Sequence, residues 1–321
     1  MENVYQSENL LHEDFLTKVL PHMYNKKSLP PLYSYSGGQG PGSFDLKLDI
    51  DSLFDCAPEY KPSSNRFVHF TSLSALNSIL SEQGLRLYNL HNVADAKEYS
   101  FIAKEFGVSD FLLEILKSRI FICSLCTSDV LESNDVSWFW TNYGHGGKGC
   151  AIEFEIEDPL QSISHVKLAN IQYSKPDFSS FLNSNMEFEK RHNIKTNLKE
   201  LIHLQACLHK SDEFKREKEV RLFWEDGFAE AHRACEPEYE YGFDSSFERT
   251  VSYYKVKFYN RVIGYPFIKI RSIQFGPKIK NSDLKQYEDH FTMLYLSMMN
   301  RLDANDDFPI FEHSPLVEMF Q

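Results

Sequence analysis

Arg216-Glu217-Lys218-Glu219-Val220-Arg221-Leu222-Phe223-Trp224 sets two carboxylates two residues apart, with an arginine two residues beyond. The residues that follow are strand formers, and on a strand every second side chain points to the same face. Glu217, Glu219 and Arg221 are therefore expected on one face, with Val220 and Leu222 on the other. Paired carboxylates can stabilise a positive charge developing in a transition state, accept a hydrogen bond from a hydroxyl, or take a proton from a nucleophile. The same pattern also describes a solvated strand face. There, pairs with Arg216, Lys218 and Arg221 contribute only ~0–1 kcal/mol each.

The elements that must position these residues can be read from periodicity. Arg66 to Phe70, Arg119 to Cys126, Cys150 to Glu155, Val251 to Phe258 and Arg271 to Phe275 read as strands. Ser72 to Leu80 reads as a helix capped by a serine and ended by Gly84. Further helices are expected over residues 8–20 and 186–211 and from Ser282 onward. Ser137 to Tyr143 is aromatic and leads into a glycine-rich turn at residues 144–149. From Lys26 to Ser64, prolines and glycines predict loops with one short strand, and the last twenty residues read as irregular. The glycine run at 36–42 lacks the Gly-Lys-Ser/Thr ending of a phosphate loop.

These runs predict an α+β fold, a single mixed or antiparallel sheet flanked by helices, and not a regular βαβ alternation. Residues 1–64 form an N-terminal helix and irregular extension in this reading. Residues 65–281 form the core, and 282–321 a C-terminal helix and tail packed on it.

The 321-residue chain is 42% hydrophobic and 25% charged, the balance of a soluble globular protein, and it has no long apolar run for a membrane span. No secretory signal opens it, so the cytoplasm is the expected location. A net charge of −12 disfavours strong nonspecific binding to nucleic acid. Cys123 and Cys126 form a C-x-x-C without a second pair. On a strand, positions three apart face opposite ways, so buried reduced thiols are expected and no metal site.

Four blocks taken together resemble a bacterial family known as domain of unknown function 2971. They are Val68 to Leu80 with Gly84 to Leu87; Phe121 to Ser124 with Ser137 to Gly144 and Lys148 to Phe154; His209 to Arg221; and Ile273 to Pro277. The family's Asn-Asp-Pro-x-Glu block stands here in altered form, as Asn92 and then Asp95 to Glu98. A more distant resemblance is to ADP-ribosyltransferase-like folds, which share a strand-borne His followed by Thr-Ser and a helix ending in Gly-Leu. It implies a split sheet and NAD as substrate, with His69, then Ser124 and Tyr143, then Glu217 and Glu219 in the family's order.

That resemblance implies the following roles. Glu219 would stabilise the ribosyl cation formed when the bond to nicotinamide breaks, and Glu217 would orient the acceptor, or the two would exchange roles. His69 would bind the adenosine ribose, with Thr71 or Ser72 beside it. Tyr143 or Trp138 would stack on nicotinamide, and Arg221 or Lys148 would hold the pyrophosphate. The expected activity is transfer of ADP-ribose to a protein or nucleic acid acceptor, by a toxin or antiphage defence effector. Two other readings stand beside it. One is a ligand-sensing or protein-interaction module without turnover, and the other is RNA 2′-phosphate transfer.

Overall fold

The computed structural model describes residues 14, 18, 33–37, 44–48, 60–92, 114, 117–157, 166–173, 178–196, 207–225, 238–244, 249–260, 266–302 and 309–316. The strands are β1 (Tyr33–Gly37), β2 (Phe44–Leu48), β3 (Arg66–Thr71), β4 (Gly84–Asn89), β5 (Ile120–Thr127), β6 (Cys150–Glu157) and β7 (Lys167–Asn170). They continue as β8 (Ile194–Thr196), β9 (Glu219–Glu225), β10 (Glu238–Asp244), β11 (Arg249–Lys257), β12 (Phe267–Phe275) and β13 (Ile310–His313). The helices are α1 (Leu73–Glu82), α2 (Val136–Asn142), α3 (Phe178–His192) and α4 (Asn281–Leu302).

The chain divides into two compact units. One takes Met1–Lys61, Ala94–Leu116 and Asn170–Glu213; the other takes Pro62–Val93, Lys117–Ala169 and Phe214–Gln321. The N-terminal stretch therefore shares its unit with two later segments, a grouping that no local signal announces. In this first unit β1 and β2 pair antiparallel and β8 joins β2 in parallel. The region from Lys26 to Ser64 thus holds two paired strands, where one was expected.

The helix expected over 186–211 is instead α3, which ends at His192. Asn193 takes a left-handed φ of 50°, which closes the helix, and the chain continues as β8. The helix expected over 8–20 lies outside the described residues except at Asp14 and Lys18, which are helical.

The second unit is built on an open, mixed ten-stranded sheet, ordered β10-β11-β4-β5-β3-β6-β12-β13. Strands β7 and β9 lie off this path, with β9 paired to both β5 and β7. Strand β13 pairs in parallel with β12, so the tail expected to be irregular closes one edge of the sheet. This architecture is the expected α+β class. One sheet face carries the main core, where α1 supplies Leu76 and Leu80, and α4 supplies Phe291, Tyr295 and Met298. The other face carries a smaller cluster in which Val68 and Phe70 of β3 pack beneath α2. There the Phe70 ring stacks on Phe139 at 5.4 Å and meets Trp140 edge-on at 5.1 Å.

Strand β5 determines the shape of this sheet. Residues Ile120 to Cys126 pair with β9 along its whole length, which uses one edge of β5. Strands β3 and β4 must share the other edge. Strand β3 pairs with it only at Phe67 and Val68, and β4 only at Tyr88 and Asn89. Beyond those residues β3 follows β6, and β4 follows β11. The sheet is therefore split, with Cys123 to Leu125 matched by neither ladder along the opening.

Helix α1 bridges the split. The Ser72 side chain caps it by accepting from the Ala75 N–H at 3.1 Å. It ends on Gln83 in the left-handed region (φ 61°) and not on Gly84. Gly84 is instead the first residue of β4, where an added Cβ would lie 2.5 Å from the Val256 carbonyl oxygen. Ser282, expected as the cap of the last helix, lies inside the first turn of α4.

At the end of β3 the glycine-rich turn packs against backbone. A Cβ on Gly149 would sit 2.0 Å from the Thr71 carbonyl oxygen. Gly149→Ala is expected to force β3 and β6 apart and to destabilise the fold by about 1–3 kcal/mol, the usual cost of overpacking. A shifted urea midpoint at unchanged slope would register this.

Candidate functional site

A cavity of about 320 Å³ opens where β3 and β4 part. His69 and Thr71 of β3, Glu82 of α1, Arg86 of β4 and Ser124 of β5 supply its polar wall. Ile79, Leu85 and Ile122 supply apolar surface. Three of the residues singled out from the sequence, His69, Thr71 and Ser124, therefore meet in one place.

His69 is the first residue of β3 past its ladder with β5. Its Nδ1 lies 3.0 Å from the Ser124 carbonyl oxygen. A carbonyl only accepts, so Nδ1 carries the proton and donates. Desolvation pushes the pKa of the ring down, while the Ser124 carbonyl opposes that shift. The ring is then neutral at pH 7, and Nε2 is left with its lone pair as an acceptor.

The acid-rich segment forms a different cluster. Strand β9 begins only at Glu219. Glu217 ends a 3₁₀ turn, Asp212–Glu217, and Lys218 between them has a left-handed φ of 45°. The expectation of both glutamates on one strand is thus corrected. Neither belongs to a solvated face: Glu217, Glu219 and Arg221 are 5%, 4% and 1% exposed. Arg221 holds Glu219 with two hydrogen bonds, Nε to Oε1 at 2.7 Å and Nη2 to Oε2 at 3.3 Å. The Tyr143 hydroxyl donates to Glu217. Desolvation, then that bond, raises the Tyr143 pKa above the ordinary phenol range.

Trp138 packs edge-on against Tyr143 at 5.5 Å, and the Arg216 guanidinium lies 5.2 Å from its ring centre. Arg216 also pairs with Asp135, and Lys218 with Asp129. Tyr143 and Trp138 therefore pack with the acid cluster and are not among the residues lining the cavity.

The two clusters differ in the sheet face they occupy. On β3, Phe67 belongs to the main core and Val68 to the smaller cluster, so His69 and Thr71 share the main-core face. On β9, Val220, Leu222 and Trp224 belong to the main core, so Glu219 and Arg221 point the other way. Arg221 is registered opposite Ser124, and Glu219 opposite Cys126. The split lets the cavity reach Ser124 from the His69 side, but Glu217 and Glu219 do not line it. Glu219 is nonetheless felt there. Burial first, then the charge of Glu219, push the Cys123 thiol up to about 12. This keeps the thiol protonated and unreactive.

Ser72 is engaged as the α1 cap, and Lys148 stands exposed in the glycine-rich turn, outside the cavity lining. Cys123 faces the main core and Cys126 packs against the smaller cluster, the opposite orientation expected of the C-x-x-C. Among the described residues no group of three or more His, Cys, Asp or Glu is placed to hold a metal ion. Sequence reasoning missed Glu82 and Arg86. Their signal was a carboxylate at a helix end and an arginine four residues on, across the turn into β4.

Residues 139–222 match the model of a family described as protein of unknown function (DUF2971), which supports the resemblance read from the sequence. The match begins in α2 and ends in β9, so it spans the acid cluster and stops short of the cavity's β3 and β4 walls. No curated protein and no solved structure matches the chain. No helix among the described residues is long and apolar enough to cross a membrane.

Two outcomes follow from this geometry. Glu219→Ala takes from the buried Arg221 its two-point carboxylate partner. A loss of about 3–5 kcal/mol is expected, the cost of breaking a buried pair, and chemical denaturation measures it. Glu219→Gln, which keeps the shape, is expected to lose less.

The second outcome concerns pH. The folded chain keeps His69 neutral below the ordinary 6.5, whereas the unfolded chain does not. As pH falls through that value the unfolded state binds the extra proton, and stability drops by up to about 1.4 kcal/mol per pH unit. His69→Asn is expected to flatten this part of the stability–pH curve.

Proposed function

We propose that the chain is a ligand-sensing module that takes a nucleoside-bearing small molecule, NAD among them, into the split between β3 and β4. The observation that carries this reading is His69. Its Nδ1 is committed to the Ser124 carbonyl and its ring is held neutral, so Nε2 offers an acceptor at the wall of a 320 Å³ cavity. A ribose hydroxyl is a natural donor to it. The volume lies near the lower end of the range for small-molecule pockets, about 300–1,000 Å³. That suits a nucleoside portion better than a whole dinucleotide. Thr71 adds a hydroxyl, and Ile79 and Leu85 add apolar surface for a sugar or base face.

Transfer of ADP-ribose is the second reading, and Glu82 favours it. A carboxylate beside a bound ribose can stabilise a ribosyl cation, and Glu82, not Glu217 or Glu219, lines the cavity with His69. Glu82 is engaged by Arg86, which weakens it in that role.

Calorimetric titration of NAD, ADP-ribose and adenosine into the full chain separates these readings, alongside nicotinamide release from labelled NAD. The sensing reading expects binding that His69→Ala weakens about tenfold, the worth of one hydrogen bond near 1.4 kcal/mol, with no nicotinamide released. Release abolished by Glu82→Gln establishes cleavage of the nicotinamide–ribose bond in the cavity, and label carried onto an acceptor then separates transfer from hydrolysis. Release abolished only by Glu219→Gln moves the chemistry to the acid cluster. Folded protein that binds none of the three compounds and releases no nicotinamide refutes both readings.

A further inference from the structure

Among the described residues the cavity wall holds one full negative and one full positive charge, Glu82 and Arg86, and they are bound to each other. Arg86 Nε donates to Glu82 Oε2 at 2.8 Å, and Nη2 donates to Oε1. The left-handed cap at Gln83 turns the chain so that a residue ending α1 meets one on β4. The guanidinium is held on its other sides too. Nη1 lies 3.5 Å from the Tyr88 hydroxyl, and the group sits 4.3 Å from the centre of the Tyr253 ring. Behind it, Tyr253 donates to Glu240 at 2.9 Å, and Lys255 pairs with Glu240 at 2.6 Å. Burial opposes the charge on Arg86, but the bonds to Glu82 and Tyr88 more than offset this and raise its pKa.

Glu82, Arg86, Glu240 and Lys255 sum to zero charge. Arg86 is thus no vacant anion hook. A phosphate or carboxylate entering the cavity would have to draw the guanidinium away from Glu82 and would leave a second carboxylate beside itself. Both groups are only about a quarter exposed, with side-chain exposures of 22% and 23%, so water screens that repulsion weakly. The remaining lone pairs of Glu82 and Nε2 of His69 are acceptors. They call for a ligand that brings donors.

We propose that the Glu82–Arg86 pair makes this cavity selective for an uncharged, hydroxyl-bearing moiety such as the ribose of a nucleoside, and that it turns away phosphorylated or carboxylated groups. The inference rests on the cavity being the ligand site. For NAD it implies weaker binding than for adenosine, because its pyrophosphate hangs on the same 5′ carbon as the phosphate of a monophosphate.

The test is calorimetry on the full chain with the four common ribonucleosides, each compared with its 5′-monophosphate. The wild-type protein is expected to bind at least one nucleoside, about tenfold or more tighter than the corresponding monophosphate. Glu82→Gln leaves Arg86 with its charge uncompensated, and the preference should swing about tenfold or more toward the monophosphate. Adding Arg86→Gln restores neutrality and should return the preference to the nucleoside.

A wild-type protein that binds the monophosphate equally well or better overturns the selectivity and leaves the ligand site standing. So does a preference that Glu82→Gln does not move. Folded wild-type protein that binds neither kind of compound refutes the ligand site and this inference with it. Should Glu82→Gln fail to fold, the wild-type ratio alone decides.

Discussion

A strand has two edges, and β5 has more neighbours than edges. Strand β9 takes all of one edge, so β3 and β4 must divide the other, each holding it at two residues before following its own partner. The backbone of β5 lacks a ladder partner on that edge at the point of divergence, so its carbonyl there takes a donor from elsewhere. The His69 ring supplies the donor for Ser124 just where the β3 ladder stops. One hydrogen bond therefore finishes the split, fixes the imidazole tautomer and leaves an acceptor facing the opening. Helix α1 spans the same gap and carries Glu82 to its rim. The cavity, its polar wall and its charge balance all depend on this competition for an edge.

The buried acids have a different part in the fold. Glu219 and Arg221 lie on the sheet face away from the main core, in a pair almost fully removed from water. Such pairs gain little over apolar packing, because desolvation consumes most of the attraction, yet breaking one leaves a charge stranded. Their effect is to hold β9 in one register against β5, since a slip of one residue would drive Arg221 into the core beside Leu125 and Trp224. Tyr143 ties Glu217 to the end of α2 in the same way. The segment whose spacing suggests catalysis also clasps the strand that leaves β3 and β4 to share the remaining edge. Its influence on the cavity is electrostatic and crosses the sheet, through Glu219 and Cys123.

Local signals carried much of the architecture. Strand β3, the serine cap of α1, β5, β6 and β11 stand within a residue or two of where periodicity placed them, because each is fixed by alternation or by a cap within its own segment. The failures share one cause. Helix α3 stops at Asn193 because Ile194 to Thr196 finds β2, a partner some 150 residues earlier. The tail forms β13 because Phe275 and its neighbours offer an edge. Pairings over such distances leave no mark in the segment itself.

For the site, the sequence alone determined which residues had the chemistry: a strand-borne His69 followed by Thr71, Ser124 on a central strand, and an acid pair followed by Arg221. It also determined the alternation that gives each strand its two faces. Only the tertiary structure decided how these were grouped. The left-handed turn at Lys218 removed Glu217 from the strand, and burial turned a solvated-looking face into an ion pair. The split in the sheet joined His69 to Ser124 and to Glu82, and left Glu219 on the other face. The reason is that spacing fixes the direction of a side chain relative to its own strand. The cavity it faces depends on which strands lie alongside, and that is settled by competition for hydrogen-bonding edges across the whole fold.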